Sequence, residues 1–147
     1  MASQLTRSPS STIDDSDAMS TTSSSSSANP KDDEVWDSAT SVLVTGGAGF
    51  VGSHVAEALL ARGERVVVVD EVNDYYDVSR KEANLDVLRR AGGDNVRIFR
   101  GDICDVAFLE QVFETCPMPR RVVHMAARAG VRPSIDDPFA YVHSNVH

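Results

Sequence analysis

The sequence predicts an α/β protein: a doubly wound parallel sheet of about four strands in the order 3-2-1-4, behind a disordered N-terminal tail. Three observations carry this. Short β-branched runs alternate with amphipathic segments from Ser41 onward. The first run ends in glycines spaced G-x-x-G-x-x-G, and the second ends in a carboxylate about 20 residues later, as in a nucleotide-binding β-α-β unit.

At 147 residues the chain has room for one domain, expected over residues 41–147. Residues 1–40 stand apart. They are dominated by Ser, Thr and Asp, include the run Ser23 to Ser27, and show no apolar periodicity, so disorder is expected. This tail supplies −5 of the formal charge of −8, which leaves the remainder mildly acidic and disfavours nucleic-acid binding. Trp36 reads equally as an anchor on the domain or as a tail residue. No run is long enough for a membrane span or a signal-peptide core, and a cytoplasmic location is expected.

The elements follow in order. Ser41 to Thr45 is the first strand and about Phe50 to Ala61 the first helix, with Val51, Val55, Leu59 and Leu60 as its apolar face. Gly63 is its C-terminal cap. Arg65 to Asp70 is the second strand, and a polar loop leads to a helix over about Arg80 to Ala91, ended by Gly92 and Gly93. Val96 to Arg100 is the third strand. Asp105 caps a helix running to about Cys116, and Arg121 to Met125 is the fourth strand. A last helix begins near Asp137-Pro138.

The glycine stretch Thr45-Gly46-Gly47-Ala48-Gly49-Phe50-Val51-Gly52 carries the chemistry. Gly46 permits a sharp turn, Gly49 leaves room for a pyrophosphate to approach the backbone, and Gly52 lets the helix pack closely. The helix start offers unpaired N–H groups and about half a positive charge to that phosphate. Asp70 can accept from ribose hydroxyls. It would repel a 2′-phosphate by roughly 1 kcal/mol in water and more if desolvated, so NAD is expected rather than NADP. Cys104 and Cys116 lack metal-ligand spacing and have no partnering His cluster, so they are expected as reduced core thiols and no metal is expected. His124, ending a strand, reads as a packed, hydrogen-bonded residue.

From about Val42 onward the chain resembles the N-terminal half of an extended short-chain dehydrogenase/reductase. Within that superfamily it is most similar to the nucleotide-sugar epimerases, especially the UDP-glucuronate 4-epimerase branch. The matching pieces are Thr45 to His54, Asp70 with Asn73-Asp74-Tyr75-Tyr76-Asp77, Gly101-Asp102-Ile103, His124 to Ala127 with Ala129-Gly130-Val131-Arg132 and Ser134, and Tyr141 to Asn145.

The resemblance implies a Rossmann-type fold with Gly46, Gly49, Phe50 and Val51 along the NAD pyrophosphate and Asp70 on the ribose. It places Asn73, Asp74 and Tyr75 near the adenosine end, and Asp102 and Ile103 against adenine. Met125, Ala126, Ala127 and Ala129 would run past the cofactor, with Ser144 near the nicotinamide ribose. Arg132 and Ser134 would meet a UDP-sugar, although Arg132 reads equally as a solvated surface arginine. The family takes the substrate proton with a Tyr-x-x-x-Lys pair. Here Tyr75 is followed by Ser79, Tyr76 by Arg80 and Tyr141 by Asn145 at that spacing, so no catalytic residue is expected in this chain.

The expectation is therefore the NAD-binding portion of a nucleotide-sugar epimerase, present as a fragment or a cofactor-binding remnant. The alternatives are a non-catalytic binding or interaction protein, and the corresponding half of a 4,6-dehydratase or decarboxylase. The fourth strand should present an unprotected edge, with pairing of two copies into a homodimer as one outcome.

Overall fold

In the computed structural model, residues 41–116 and 118–146 are described. The expected tail and Trp36 lie outside them. The first two strands, β1 (Ser41–Thr45) and β2 (Arg65–Asp70), are almost wholly buried, as befits near-continuous valine runs in a parallel sheet. With β3 (Val96–Arg100) and β4 (Arg121–His124) they form a four-stranded parallel sheet in the order β3-β2-β1-β4. The register places Val42 beside Val66, Val66 beside Val96, and Val42 beside Arg121.

Alternation along the strands splits the core between two faces. On one, Val42, Val44, Val66 and Val68 pack with Ala56 and Leu60 of α1 (Phe50–Ala61) and Leu85 and Leu88 of α2 (Val78–Gly92). On the other, Leu43, Val67 and Val69 meet Val112 of α3 (Val106–Thr115) and Cys116. Each fully buried leucine or valine contributes about 1.5–3 kcal/mol relative to exposure. Helices on both faces make the sheet doubly wound, as expected.

The capping chemistry explains most boundaries. The Asp105 carboxylate accepts from Phe108 N–H at 3.2 Å and starts α3. Gly63, at φ 78°, donates to the Leu60 carbonyl and ends α1. α2 begins at Val78, two residues before the expected Arg80, because the Asp77 carboxylate accepts from Ser79 N–H. Hydrogen bonding from Ser79, its side chain first and then its backbone N–H, also holds the Asp77 carboxyl below the usual range.

Three expectations are corrected. The apolar face of α1 is rotated: Gly52, Ser53, Ala56 and Leu60 are buried, whereas Val51 is 56% exposed. Small residues face inward because the helix start is packed hard against the glycine turn. The final segment holds two helices, α4 (Val131–Asp136) and α5 (Pro138–Val146). β4 stops at His124, one residue short. It is the exposed edge foreseen, with Val122 57% accessible.

Candidate functional site

All four strands deliver their C-terminal ends to one cleft, at the point where the strand order reverses between β1 and β4. After Thr45 the chain turns at Gly46, which adopts φ 67° and donates to the Val69 carbonyl at 2.8 Å. A Cβ there would sit 2.6 Å from the amide nitrogen of Ala126, so the two loops touch backbone to backbone. A Cβ at Gly52 would run into the Gly46 carbonyl, so Gly52 seats α1 on the turn itself. α1 begins with neither a side-chain cap nor an acid in its first turn, which leaves its leading N–H groups without helical acceptors.

Asp70 closes the turn from the other side. It is 8% exposed, and its two carboxylate oxygens accept from Ala48 N–H at 3.0 Å and Val72 N–H at 2.8 Å. Val72 takes φ 53°, a conformation a β-branched residue adopts only under constraint. Lys81, 5% exposed on α2, donates to both the carbonyl and the side-chain oxygen of Asn73, at 2.9 and 2.7 Å. Its ammonium also lies 4.7 Å from the centre of the Tyr76 ring. Desolvation, and then the charge of Asp70, raises the Tyr76 hydroxyl above its ordinary pKa.

A second set of bonds spans the loops. The hydroxyls of Tyr75 and Tyr141 lie 2.9 Å apart, and both donate to the Ala129 carbonyl. Lost hydration, then the contact with Tyr75, pushes the Tyr141 hydroxyl up to about 12. Asn145 brackets Arg128, accepting from its N–H at 2.8 Å and donating to its carbonyl at 3.0 Å.

Of the residues singled out from sequence, Gly46, Gly49, Asp70, Asn73, Tyr75, Asp102, Ile103, Met125, Ala126, Ala127 and Ser144 line this cleft together. Phe50, Val51, Gly52, Asp74, Ala129, Arg132 and Ser134 are not among its lining residues. Phe50 and Val51 point outward from the first turn of α1. Ala129 presents its carbonyl to the two tyrosines instead. Arg132 is exposed on α4, and the Ser134 hydroxyl donates to the Val131 carbonyl of its own helix.

Lys81 and Arg128 line the cleft where sequence reasoning gave no place to the first and more weight to Arg132 than to the second. The spacing of Lys81, Leu85 and Leu88 on the buried face of α2 was the available signal. His124 is hydrogen-bonded as expected, 2.7 Å from the Thr45 hydroxyl, but it is exposed because β4 has no outer neighbour among the described residues. Cys116 is buried, whereas Cys104 is a half-exposed loop residue beside Asp102 and His143, an adjacency created by α5 folding back.

The family model described as GDP-mannose 4,6 dehydratase matches residues 43–147. UDP-glucuronate 4-epimerase 3 of Arabidopsis thaliana is 51% identical over 106 residues, covering 72% of this chain and 24% of that protein. UDP-glucuronate 4-epimerase of Thermodesulfobacterium geofontis is 44% identical over 104 residues, covering 71% of this chain and 31% of that one. The chain thus spans between about a quarter and a third of the length of these relatives. Among solved structures, the UDP-glucose 4-epimerase of Bifidobacterium longum, in complex with NAD+ and UDP, aligns with a TM-score of 0.62 at 34% identity, over 73% of this chain and 30% of that one. A variant UDP-glucuronic acid 4-epimerase from Bacillus cereus, in complex with NAD and a fluorinated UDP-glucuronic acid, aligns with a TM-score of 0.63 at 32% identity, over 72% of this chain and 32% of that one. The sheet, the glycine turn and these likenesses agree: the chain belongs to the GDP-mannose 4,6 dehydratase family and is similar, over this portion, to its nucleotide-sugar epimerases.

Proposed function

We propose that the cleft binds NAD and that the chain is the cofactor-binding portion of a UDP-glucuronate 4-epimerase. The observation that carries this is the side-chain-free turn at Gly46, Gly49 and Gly52, set beneath an uncapped helix start and beside the buried Asp70. That cradle fits a diphosphate, since the turn presents bare amides beside the helix start, and a Cβ at Gly46 or Gly52 would collide with the backbone of Ala126 or of Gly46 and break the turn. Asp70 keeps a lone pair on each oxygen for ribose hydroxyls beyond the bonds it already accepts. Asp102 and Ile103 supply a carboxylate and an aliphatic chain for adenine at the end of β3, and Ser144 a hydroxyl for the nicotinamide ribose. Lys81 holds Asn73, and so the loop that follows Asp70, in place.

Bound NAD would supply the acceptance and return of hydride at C4 of the sugar. The chain itself holds and orients the cofactor. The proton transfer falls to a Tyr-x-x-x-Lys pair, which this sequence does not contain. Curated relatives and NAD-bound neighbours support the reading. A sugar-nucleotide 4,6-dehydratase is the second reading, favoured by the description of the matching family model. A cytoplasmic location belongs to the same proposal, supported by two unpaired cysteines. So does a homodimer, which sedimentation would test.

Calorimetry is expected to find NAD bound more tightly than NADP, and Asp70→Ala to erase the preference. Equal affinities in the parent chain would sink the cofactor assignment. A chimera carrying residues 43–147 in place of the matching segment of the Arabidopsis epimerase should epimerise UDP-glucuronate. If it folds and binds NAD yet forms no epimer, the epimerase reading fails.

A further inference from the structure

Outside the glycine cradle, three side chains of different chemistry converge at the edge of the cleft. A carboxylate oxygen of Asp102, the sulfur of Cys104 and a ring nitrogen of His143 all lie within 4.8 Å of one another. The loop after β3 fixes the first two. The Asp102 side chain accepts from Cys104 N–H at 2.9 Å, and its carbonyl accepts from Asp105 N–H at 3.0 Å, so both side chains leave one tight turn. Asp105 caps α3 and anchors that turn. The third donor comes from α5, and the Cys104 sulfur lies 3.5 Å from the His143 carbonyl oxygen, which holds helix and loop in register.

We propose that Asp102, Cys104 and His143 form a binding site for a thiophilic divalent cation of the zinc type. Thiolate, imidazole and carboxylate together are a zinc donor set, whereas magnesium and calcium take oxygen ligands. Tetrahedral zinc, with bonds of about 2.0–2.3 Å, holds its donors roughly 3.3–3.8 Å apart. The three atoms must therefore close by about 1.5 Å at most, within reach of side-chain rotation for the exposed His143. On binding, the Cys104 thiol loses its proton to solvent and sulfur becomes a ligand. Three protein donors leave the fourth position to water, and the partial exposure of all three gives the ion a route in. Asp102 also lines the cleft, so an ion held here shares a carboxylate with whatever occupies the adenosine end.

The test is titration of the full chain with Co2+ alone, followed in the near ultraviolet for sulfur-to-metal charge transfer and in the visible for tetrahedral d–d bands. One ion per chain is expected, with a charge-transfer band that Zn2+ abolishes. Cys104→Ser should remove the band, His143→Gln should weaken binding at least tenfold, and Cys116→Ser should leave both unchanged. Circular dichroism confirms that each variant is folded. Absence of the band, or its survival in folded Cys104→Ser, overturns the proposal. Neither result depends on NAD, so the metal site and the cofactor assignment stand or fall separately.

Discussion

The β1–β2 half of the molecule and the β4–α5 segment obey the same topology but differ in what covers them. Around β1 and β2, valines alternate between two faces, and each face is roofed by a helix, so the core residues there are inaccessible. Among the described residues β4 has a neighbour on one side only, and Val122, Val131, Ile135 and Phe139 remain open. The first region is stabilised by burial. The second is tethered by polar bonds: the Thr45 hydroxyl to His124 and Ala126, Arg121 to Glu64, and the tyrosine pair to Ala129. Packing and tethering should respond differently to substitution.

The largest contrast is expected from truncating apolar side chains. Leu85→Ala should lower stability by about 2–5 kcal/mol in chemical denaturation, because a fully buried side chain leaves a cavity. Ile135→Ala, at an open position, should stay within about 0.5 kcal/mol. Comparable losses at both sites would mean that the second region is covered in solution. Next in size is Thr45→Val, which strips the acceptor from Ala126 N–H and should cost about 1–3 kcal/mol. Hydrogen exchange should quicken in β4 and α5 while α2 keeps its protection.

Arg121→Ala should cost less than about 1 kcal/mol, since the guanidinium is half exposed, and the effect should fade in high salt. Alkaline pH should loosen the tether. The Tyr141 hydroxyl is raised from 10.0 to about 12, so the folded chain keeps a proton that the unfolded chain gives up. Its stabilisation is complete below pH 10 and fades as pH rises through about 12. Exchange in α5 should accelerate over that window in the parent chain and show no such step in Tyr141→Phe.

The same contrast decides what was legible in the sequence. The bounds of β1 and β2 follow directly from β-branched runs closed by glycine or charge, because strands covered on both faces need nothing else, and those of the half-buried β3 from Val96, Ile98 and Phe99 closed by Arg100 and Gly101. The glycine turn and Asp70 were readable for the same reason: their chemistry is local. α4 was hidden because Gly130 and Pro133 read as loop residues, and its short apolar face packs against little. The face of α1 was misjudged because Gly52, Ser53 and Ala56 bury backbone rather than bulk, and hydrophobic periodicity cannot see that. Lys81 escaped notice because a charged residue on a buried helical face looks like noise until its partner, Asn73, is in view. The meeting of Cys104 with His143, 39 positions away, needed the fold.

Val72 carries one more consequence. A valine held at φ 53° means that the bend after β2 is set while the chain folds, at about 1–3 kcal/mol of conformational energy. A molecule arriving in the cleft then meets a rim already in shape and has little chain motion left to freeze, which favours rapid capture over slow moulding around the guest.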